Sequence, residues 1–256
     1  MYLQGALVVL AAFLCGAGLT WLWHRLVRPR ASSEGLPLMA AACGTVASMY
    51  VLTIAFLIVS ASSSLRDAQN EAEAEAGALR NAYLVAQYFP TAERRDLQSA
   101  VRDYTDTVIT KEWPALSREK AAPEAWNRLD ALNSRMYRGS GEDSRLHGDL
   151  RAAVDDVYAQ RRLRVAAAAE HVPGLLLGFL ITTAFAVPCF FLLMGWPSGV
   201  RPVLGMGTIV ALCAFGIWIV LQLNHPYGSG VRIAPDSFRD ALVRMEQIDA
   251  QRSAGR

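Results

Sequence analysis

Four long stretches without a charged side chain set the strongest constraint on how this chain folds. They cover residues 1–23, 37–60, 172–196 and 203–223, and none contains Lys, Arg, Asp or Glu. Each is about 20 residues or longer, enough for a helix to cross a hydrocarbon core of about 30 Å. A buried helix of a soluble protein can resemble one such stretch, but four cannot share a 256-residue globule. The sequence therefore predicts four transmembrane helices.

The first stretch has an alternative interpretation as a cleaved signal peptide. Such peptides begin with basic residues and have a shorter apolar core. Here residues 1–4 carry no basic side chain, and the first arginine, Arg25, follows the apolar stretch. Trp21 and Trp23 lie at its end, where aromatic rings favour the membrane interface. These features favour a retained span.

The charged residues concentrate in the segment between spans two and three. Residues 61–171 contain 16 Lys and Arg against 18 Asp and Glu, without a basic tract. This balance disfavours nucleic acid as a partner. The predicted domains are 1–60 (spans one and two), 61–171 (a soluble helical insert), 172–223 (spans three and four) and 224–256 (a soluble tail with an amphipathic helix). The fold class is an all-α integral membrane protein.

The insert and tail show helical periodicity, and no stretch has the alternating pattern of a strand. Residues 65–89 extend the second span, and a further helix runs from Thr91 to about Lys111, where Trp113-Pro114 ends it. Residues 123–138 form another helix. Residues 144–171 form a long helix, marked by Leu146, Leu150, Val154, Val157 and Leu163, that leads directly into span three. Asp236 caps a tail helix to about Gln251.

The sequence contains no recognisable catalytic or metal site. The nucleotide, hydrolase and metalloprotease motifs are missing from it, and its four histidines are far apart. One cysteine falls in each span, which excludes a disulfide framework and a CxxC site. We therefore expect no enzymatic activity, no cofactor and no bound metal. The spans also contain no Asp, Glu, Lys or Arg, which argues against active transport and leaves passive permeation or no transport.

Span two has a face suited to lining a pore. At about 100° per residue, hydroxyl groups lie at both of its ends and apolar side chains lie in its middle. The residues of this face are Thr45, Ser48, Met49, Leu52, Phe56, Val59, Ser60 and Ser63. Several copies around an axis would form a pore with a hydrophobic constriction. Ordinary helix packing is the alternative, since small and hydroxyl residues also let membrane helices approach closely.

Two short spans, a helical insert, two more spans and a tail resemble the layout of the bestrophin anion channels. More specifically, the chain resembles the bacterial bestrophin-like family. The insert carries Glu75 in EAGAL, then VRDY, then Glu112, Trp113 and Pro114 in VITKEWPAL. After span four come Asn224, Pro226, Tyr227, Gly228, Ser229 and Gly230 in LNHPYGSG.

The resemblance implies a homo-oligomeric ion channel, a pentamer, in the inner (plasma) membrane, with anions as the permeant species. It places the termini and the insert in the cytoplasm and Leu52, Phe56 and Val59 at the pore neck, although charge alone leaves the orientation open. Bestrophins hold calcium with an acidic run after an Asn-Pro-Phe-Gly element. Here Ser229 and Gly230 follow instead of acids, so we predict no calcium clasp.

The two motifs also have structural interpretations. Trp113-Pro114 could stop a helix and anchor the insert, and residues 226–230 could form a tight turn that brings the tail back onto it. Family similarity suggests that Glu75 and Glu112 are buried and paired with Arg80 or Arg102. The functional alternative to a channel is a non-conducting scaffold or sensor whose insert binds a partner.

Overall fold

The computed structural model describes residues 2–27, 36–118, 120, 122–136, 144–169, 172–194, 200–224, 227 and 233–254. Every regular element in these ranges is a helix, so the predicted all-α class is confirmed. The helices are α1 (Tyr2–Val27), α2 (Leu36–Ala86), α3 (Thr91–Thr107), a π-helical turn (Val108–Glu112), α4 (Trp113–Leu116), α5 (Pro123–Met136), α6 (Ser144–Ala169), α7 (Gly174–Leu193), α8 (Val200–Leu223) and α9 (Asp236–Ala254).

The chain forms two compact units, here named the membrane unit and the soluble unit. The membrane unit comprises Met1–Ser63 with His171–Asn224, and the soluble unit comprises Ser64–Glu170 with His225–Arg256. Helices α1, α2, α7 and α8 are long and apolar enough to cross a bilayer. Many of their large apolar side chains are exposed, as expected for surfaces that lipid covers.

Small residues allow the helices of the membrane unit to pack closely. A Cβ atom on Gly207 of α8 would lie 2.8 Å from the ring of Phe13 on α1, and one on Gly16 would lie 2.9 Å from Val210. Lipid is as apolar as these side chains, so no hydrophobic effect drives the helices together. The van der Waals contacts of this close packing hold them instead. A second contact joins α2 to α8, where the Tyr50 hydroxyl donates to the Cys213 carbonyl at 2.9 Å.

Helix α3 differs from the sequence prediction at its end. It stops as an α-helix at Thr107, and a π-helical turn continues into the short helix α4 rather than breaking at Trp113-Pro114. The backbone N–H of Trp113 donates to the carbonyl of Val108, five residues back. Pro114 lies in the first turn of α4, the part of a helix in which proline is best tolerated.

Helix α6 also differs, because it does not run directly into span three. Its last described residue is Ala169, while Val172 and Pro173 are not helical and α7 begins at Gly174. Proline disfavours helical geometry in the residue before it, which explains the break. The Val172 N–H donates instead to the side-chain oxygen of Asn224 at 2.7 Å.

Candidate functional site

The predicted pore face of α2 is the exposed face of that helix. Thr45, Ser48, Met49, Leu52, Phe56, Val59 and Ser63 are all exposed, and Ser60 is half-buried at the edge. In the middle of the face Leu52, Phe56 and Val59 are 73%, 59% and 68% exposed. The opposite face packs against α7 and α8 through Tyr50 and Leu57, both buried. The face of α2 with hydroxyl groups at both ends therefore points away from the other helices of its own unit.

The hydroxyl groups at one end of this face bond within the helix. Thr45 Oγ1 donates to the Ala41 carbonyl at 3.0 Å, and Ser48 Oγ donates to the Gly44 carbonyl at 2.9 Å. Each hydroxyl oxygen keeps lone pairs as acceptors. Exposure alone does not separate a pore from a lipid-facing surface, because Leu175 on α7 is 90% exposed. The pore assignment stays a prediction.

The soluble unit contains a second site, a fully buried cluster of two carboxylates and two guanidinium groups. Its charged members are Glu75 of α2, Glu112 of the π-helical turn, and Arg161 and Arg164 of α6, each 0% exposed. Arg164 Nε lies 2.6 Å from Glu75 Oε2, and its Nη2 lies 2.8 Å from Glu112 Oε2. Arg161 Nη2 lies 2.6 Å from Glu112 Oε1. We call this set the Glu–Arg cluster.

Aromatic residues complete the cluster. The Tyr104 hydroxyl donates to Glu75 Oε1 at 2.6 Å and accepts from Arg161 Nη1 at 3.1 Å. The Arg161 guanidinium lies 4.3 Å from the centre of the Trp126 ring, and that of Arg164 lies 5.5 Å from the Trp113 ring. Aromatic faces stabilise a desolvated cation, so the apolar walls around the cluster also contribute to holding its charge.

The charges of the Glu–Arg cluster balance, which allows it to be buried. Desolvation opposes the positive charge of Arg164, but the adjacent Glu75 and Glu112 outweigh it and raise its pKa above the ordinary value. Burial raises the pKa of Tyr104, and the nearby Glu75 raises it further. The hydroxyl therefore remains a hydrogen-bond donor to Glu75. Loss of any single charge would leave an unpaired ion in the core, which is costly.

The π-helical turn explains how Glu112 and Trp113 can both face the core. A π turn contains one residue more than an α turn, so consecutive side chains can lie on the buried side. Glu112 is completely buried, and Trp113, the next residue, is also buried. Glu112 reaches the arginines of α6, while the indole N–H of Trp113 donates to the Ile233 carbonyl of the tail at 2.9 Å.

The tail packs onto this same region. The Trp113 ring lies edge-on to Tyr227 and Phe238, with ring centres 5.2 and 5.5 Å apart. Burial raises the pKa of Tyr227 to about 12, and the charge of Arg164 opposes the rise. Pro114 and Tyr227 also line a surface groove of about 340 Å³.

The post-span-four motif is only partly described. Asn224 bonds the backbone of Val172, and Tyr227 is buried against Trp113. Pro226, Gly228, Ser229 and Gly230 lie outside the described residues, so the predicted tight turn stays a prediction. Among the described residues, no three His, Cys, Asp or Glu side chains are grouped closely enough to hold a metal ion.

The predicted partners of Glu75 and Glu112 were wrong. Arg102 pairs with Asp249 of α9, and the two glutamates bond Arg161 and Arg164. Arg80 and Arg102 are close to the two glutamates in sequence, whereas α6 supplies cations from about 50 to 90 residues away.

The sequence of α6 did contain a pattern that could have predicted these arginine partners. Leu150, Val154, Val157, Arg161 and Arg164 recur at helical spacing, and all are buried. Leu163, another apolar residue of this helix, is 50% exposed and lies off the buried face. Two arginines on the apolar face of an amphipathic helix require buried acids, and these were the glutamates already singled out.

Comparison with known proteins identifies the family. The sequence profile of the Bestrophin-like domain matches residues 10–238, which is most of the chain. The chain belongs to the bestrophin-like family. The family predicted from the sequence is thus confirmed, and the residues that match the bestrophin-like domain include parts of both units.

A solved structure shares the fold of this chain. It is described as the crystal structure of a membrane protein, and it superposes with a TM-score of 0.56 at 12% sequence identity. The alignment covers 94% of this bestrophin-like chain and 97% of the other. Identity this low shows a shared fold alone. A search of curated proteins gave no match.

Proposed function

We propose that this bestrophin-like membrane protein forms a homo-oligomeric ion channel, with the exposed face of α2 lining the pore. The observation that carries the proposal is the placement of that face. Seven of the eight side chains chosen from helical spacing are exposed, while the opposite side of the helix packs within its own unit. A helix with hydroxyls at its ends and Leu52, Phe56 and Val59 between them suits a pore with a hydrophobic constriction.

Passive permeation is the form of transport that the described spans support. Coupled transporters place an ionisable group near the membrane midplane, where it exchanges a proton or binds a coupling ion. The described parts of α1, α7 and α8 and the span of α2 contain Arg25 and Arg201 near their ends, but no Asp, Glu or Lys. The protein is proposed to be a channel rather than an enzyme or a pump.

The family resemblance supplies the finer parts of the proposal. The oligomer is proposed to be a pentamer in the plasma membrane, with the termini and the soluble unit in the cytoplasm. Lipid covers the outward surfaces of the other spans. The resemblance implies anions as permeant ions.

The experiment is single-channel recording from purified protein in planar bilayers. Phe56→Ala enlarges the apolar constriction, so we expect a conductance change. Phe185→Ala on α7 is the matched control, because Phe185 is also an exposed aromatic residue of a span (68%) but lies outside the pore face. We expect this control to conduct like the natural protein.

Three results would contradict the proposal. Oligomers of confirmed integrity that stay silent under voltage and a salt gradient would exclude a channel under those conditions. A monomer or dimer in mild detergent cannot surround an axial pore, and would favour the scaffold or sensor. Equal effects of the Phe56 and Phe185 substitutions would contradict the placement of the pore face.

A further inference from the structure

We propose that a groove on the soluble unit binds a small organic carboxylate with an apolar body, and that Arg239 holds the carboxylate. The groove has a volume of about 340 Å³ and lies between the segment around Trp113 and the tail. All of its described lining residues belong to the soluble unit. The proposal goes beyond the channel and does not depend on it, because none of these residues lies on the pore face of α2.

The walls of the groove are largely apolar. Trp113 and Pro114 line one side, and Tyr227 and Pro235 line the side that the tail contributes. The Trp113 and Tyr227 rings meet edge-on with centres 5.2 Å apart, and the indole N–H of Trp113 bonds the Ile233 carbonyl. These contacts join the two sides of the groove. Ligand pockets combine such apolar and aromatic walls with a few placed polar groups, so the walls suit the apolar body of a ligand.

The volume of the groove limits the size of that ligand. One water molecule occupies about 30 Å³ in the liquid, so 340 Å³ corresponds to roughly eleven waters. A compact molecule of about a dozen non-hydrogen atoms would fill this space. The groove lies at the lower end of the range for ligand pockets, about 300–1,000 Å³. It therefore suits a small metabolite-sized molecule rather than a dinucleotide or a lipid with two chains.

Arg239 is the lining side chain that offers hydrogen-bond donors to such a ligand. It is the only charged residue among the described residues that line the groove. The indole N–H of Trp113 is used in the bond to the tail, and the Ser117 hydroxyl donates to a backbone carbonyl at 2.8 Å. The Tyr227 hydroxyl is buried away from solvent. A ligand group that binds Arg239 must accept hydrogen bonds, and an anionic group binds it most strongly.

A carboxylate matches this arginine in shape and charge. The guanidinium bonds Asp236 through Nη1 at 2.9 Å, and its planar fork carries five N–H donors in all, enough to bind a second carboxylate. Asp236 opposes an incoming anion, but it is 71% exposed, so water and salt screen its charge. Both residues lie in the first turn of α9, where the helix dipole favours negative charge. One guanidinium balances the single charge of a carboxylate, whereas a phosphate carries nearly two.

The test is isothermal titration calorimetry of the full-length protein in detergent, with phenylacetate as the probe. Phenylacetamide is the matched neutral molecule, because it has the same ring and nearly the same shape. We expect phenylacetate to bind about tenfold more tightly, since a charge-assisted bond is stronger than a neutral one. Arg239→Gln should remove this preference. Asp236→Asn should increase it, because the opposing charge is lost while asparagine still caps the helix.

Two further variants locate the site. Ala234 lines the groove and is exposed, so Ala234→Trp should fill the groove and abolish binding of both probes. An unchanged Tm checks that this variant folds, and Arg239→Gln, which alters an exposed side chain, decides the question if it does not. Arg244→Gln is the matched control, because it removes another exposed arginine of α9 that does not line the groove. We expect it to bind phenylacetate like the natural protein.

Three results would overturn the proposal. Equal binding of phenylacetate and phenylacetamide, or a preference that survives in Arg239→Gln, would exclude the role of Arg239. Binding that Ala234→Trp leaves unchanged in a folded protein would place the ligand outside this groove. Absence of any binding of phenylacetate at millimolar concentration would exclude the ligand class. None of these results bears on conduction, so the proposed channel stands or falls separately.

Discussion

The Glu–Arg cluster provides the sharpest test of how the soluble unit is held together. Arg164 is the central residue because it contacts both carboxylates, at 2.6 Å to Glu75 and 2.8 Å to Glu112. Arg164→Met would keep most of the side-chain volume and remove the charge. Arg161 would then remain as the only guanidinium of the cluster, paired with Glu112, while Glu75 would keep only the Tyr104 hydroxyl as a partner. The core would carry one uncompensated negative charge.

The expected cost follows from that imbalance. Removing one partner of a buried ion pair destabilises a protein by about 3–5 kcal/mol. The guanidinium also loses its contacts with the Trp113 and Phe238 rings, 5.5 and 5.4 Å from its centre. In a chain of this size, about 4 kcal/mol corresponds to a fall in Tm of roughly 8–16 °C.

The measurement is thermal unfolding of the full-length protein in detergent, followed by tryptophan fluorescence. Arg135→Met is the matched control. It breaks the exposed ion pair with Asp96, which contributes about 1 kcal/mol or less. Adding Glu75→Gln to Arg164→Met restores charge balance and should recover part of the lost Tm. Equal Tm values for the Arg164 and Arg135 variants, or no recovery in the double variant, would refute the argument from buried charge.

Three further predictions concern packing, the tail and pH. Gly216→Ala places a Cβ 2.2 Å from Ile54 Cδ1, so we expect the free energy of unfolding to fall by about 1–3 kcal/mol, measured as a lower Tm. Gly18→Ala is the control and should be neutral, because a Cβ there has nothing within 4 Å. Trp113→Phe removes the indole N–H that bonds the tail and should speed proteolysis of α9; an unchanged cleavage rate would contradict that anchor. Tyr227 has its pKa raised to about 12 by burial, so its contribution to stability is complete below about pH 10 and is lost as pH rises to about 12. Tyr227→Phe should therefore lessen the fall in Tm between these values, and an identical pH profile would exclude this contribution.

The sequence predicted the helices because their signals are local. Uncharged stretches of about 20 residues identify spans whatever their neighbours are. The exposed face of α2 also followed from periodicity, since the residues that pack inward, such as Tyr50 and Leu57, share the other side. The bestrophin-like family was recognisable from Glu-Trp-Pro and Pro-Tyr-Gly-Ser-Gly in their observed order.

The partners in the Glu–Arg cluster were not predicted, because they depend on tertiary contacts. Glu75 and Arg164 are 89 residues apart, and local spacing gives no information about which distant helix supplies a charge. The π-helical turn was missed for a similar reason. Trp113-Pro114 is typical of a helix end, and only the packing of Glu112 and Trp113 on the core favours an extra residue in that turn.

An experimental structure of the assembled protein in lipid nanodiscs tests the central claim most directly. The decisive quantity is the distance from each span to the symmetry axis of the oligomer. The proposed channel predicts that α2 is the innermost span, with Leu52, Phe56 and Val59 pointing toward the axis. A monomer, or an oligomer in which that face contacts lipid or another helix, would contradict it.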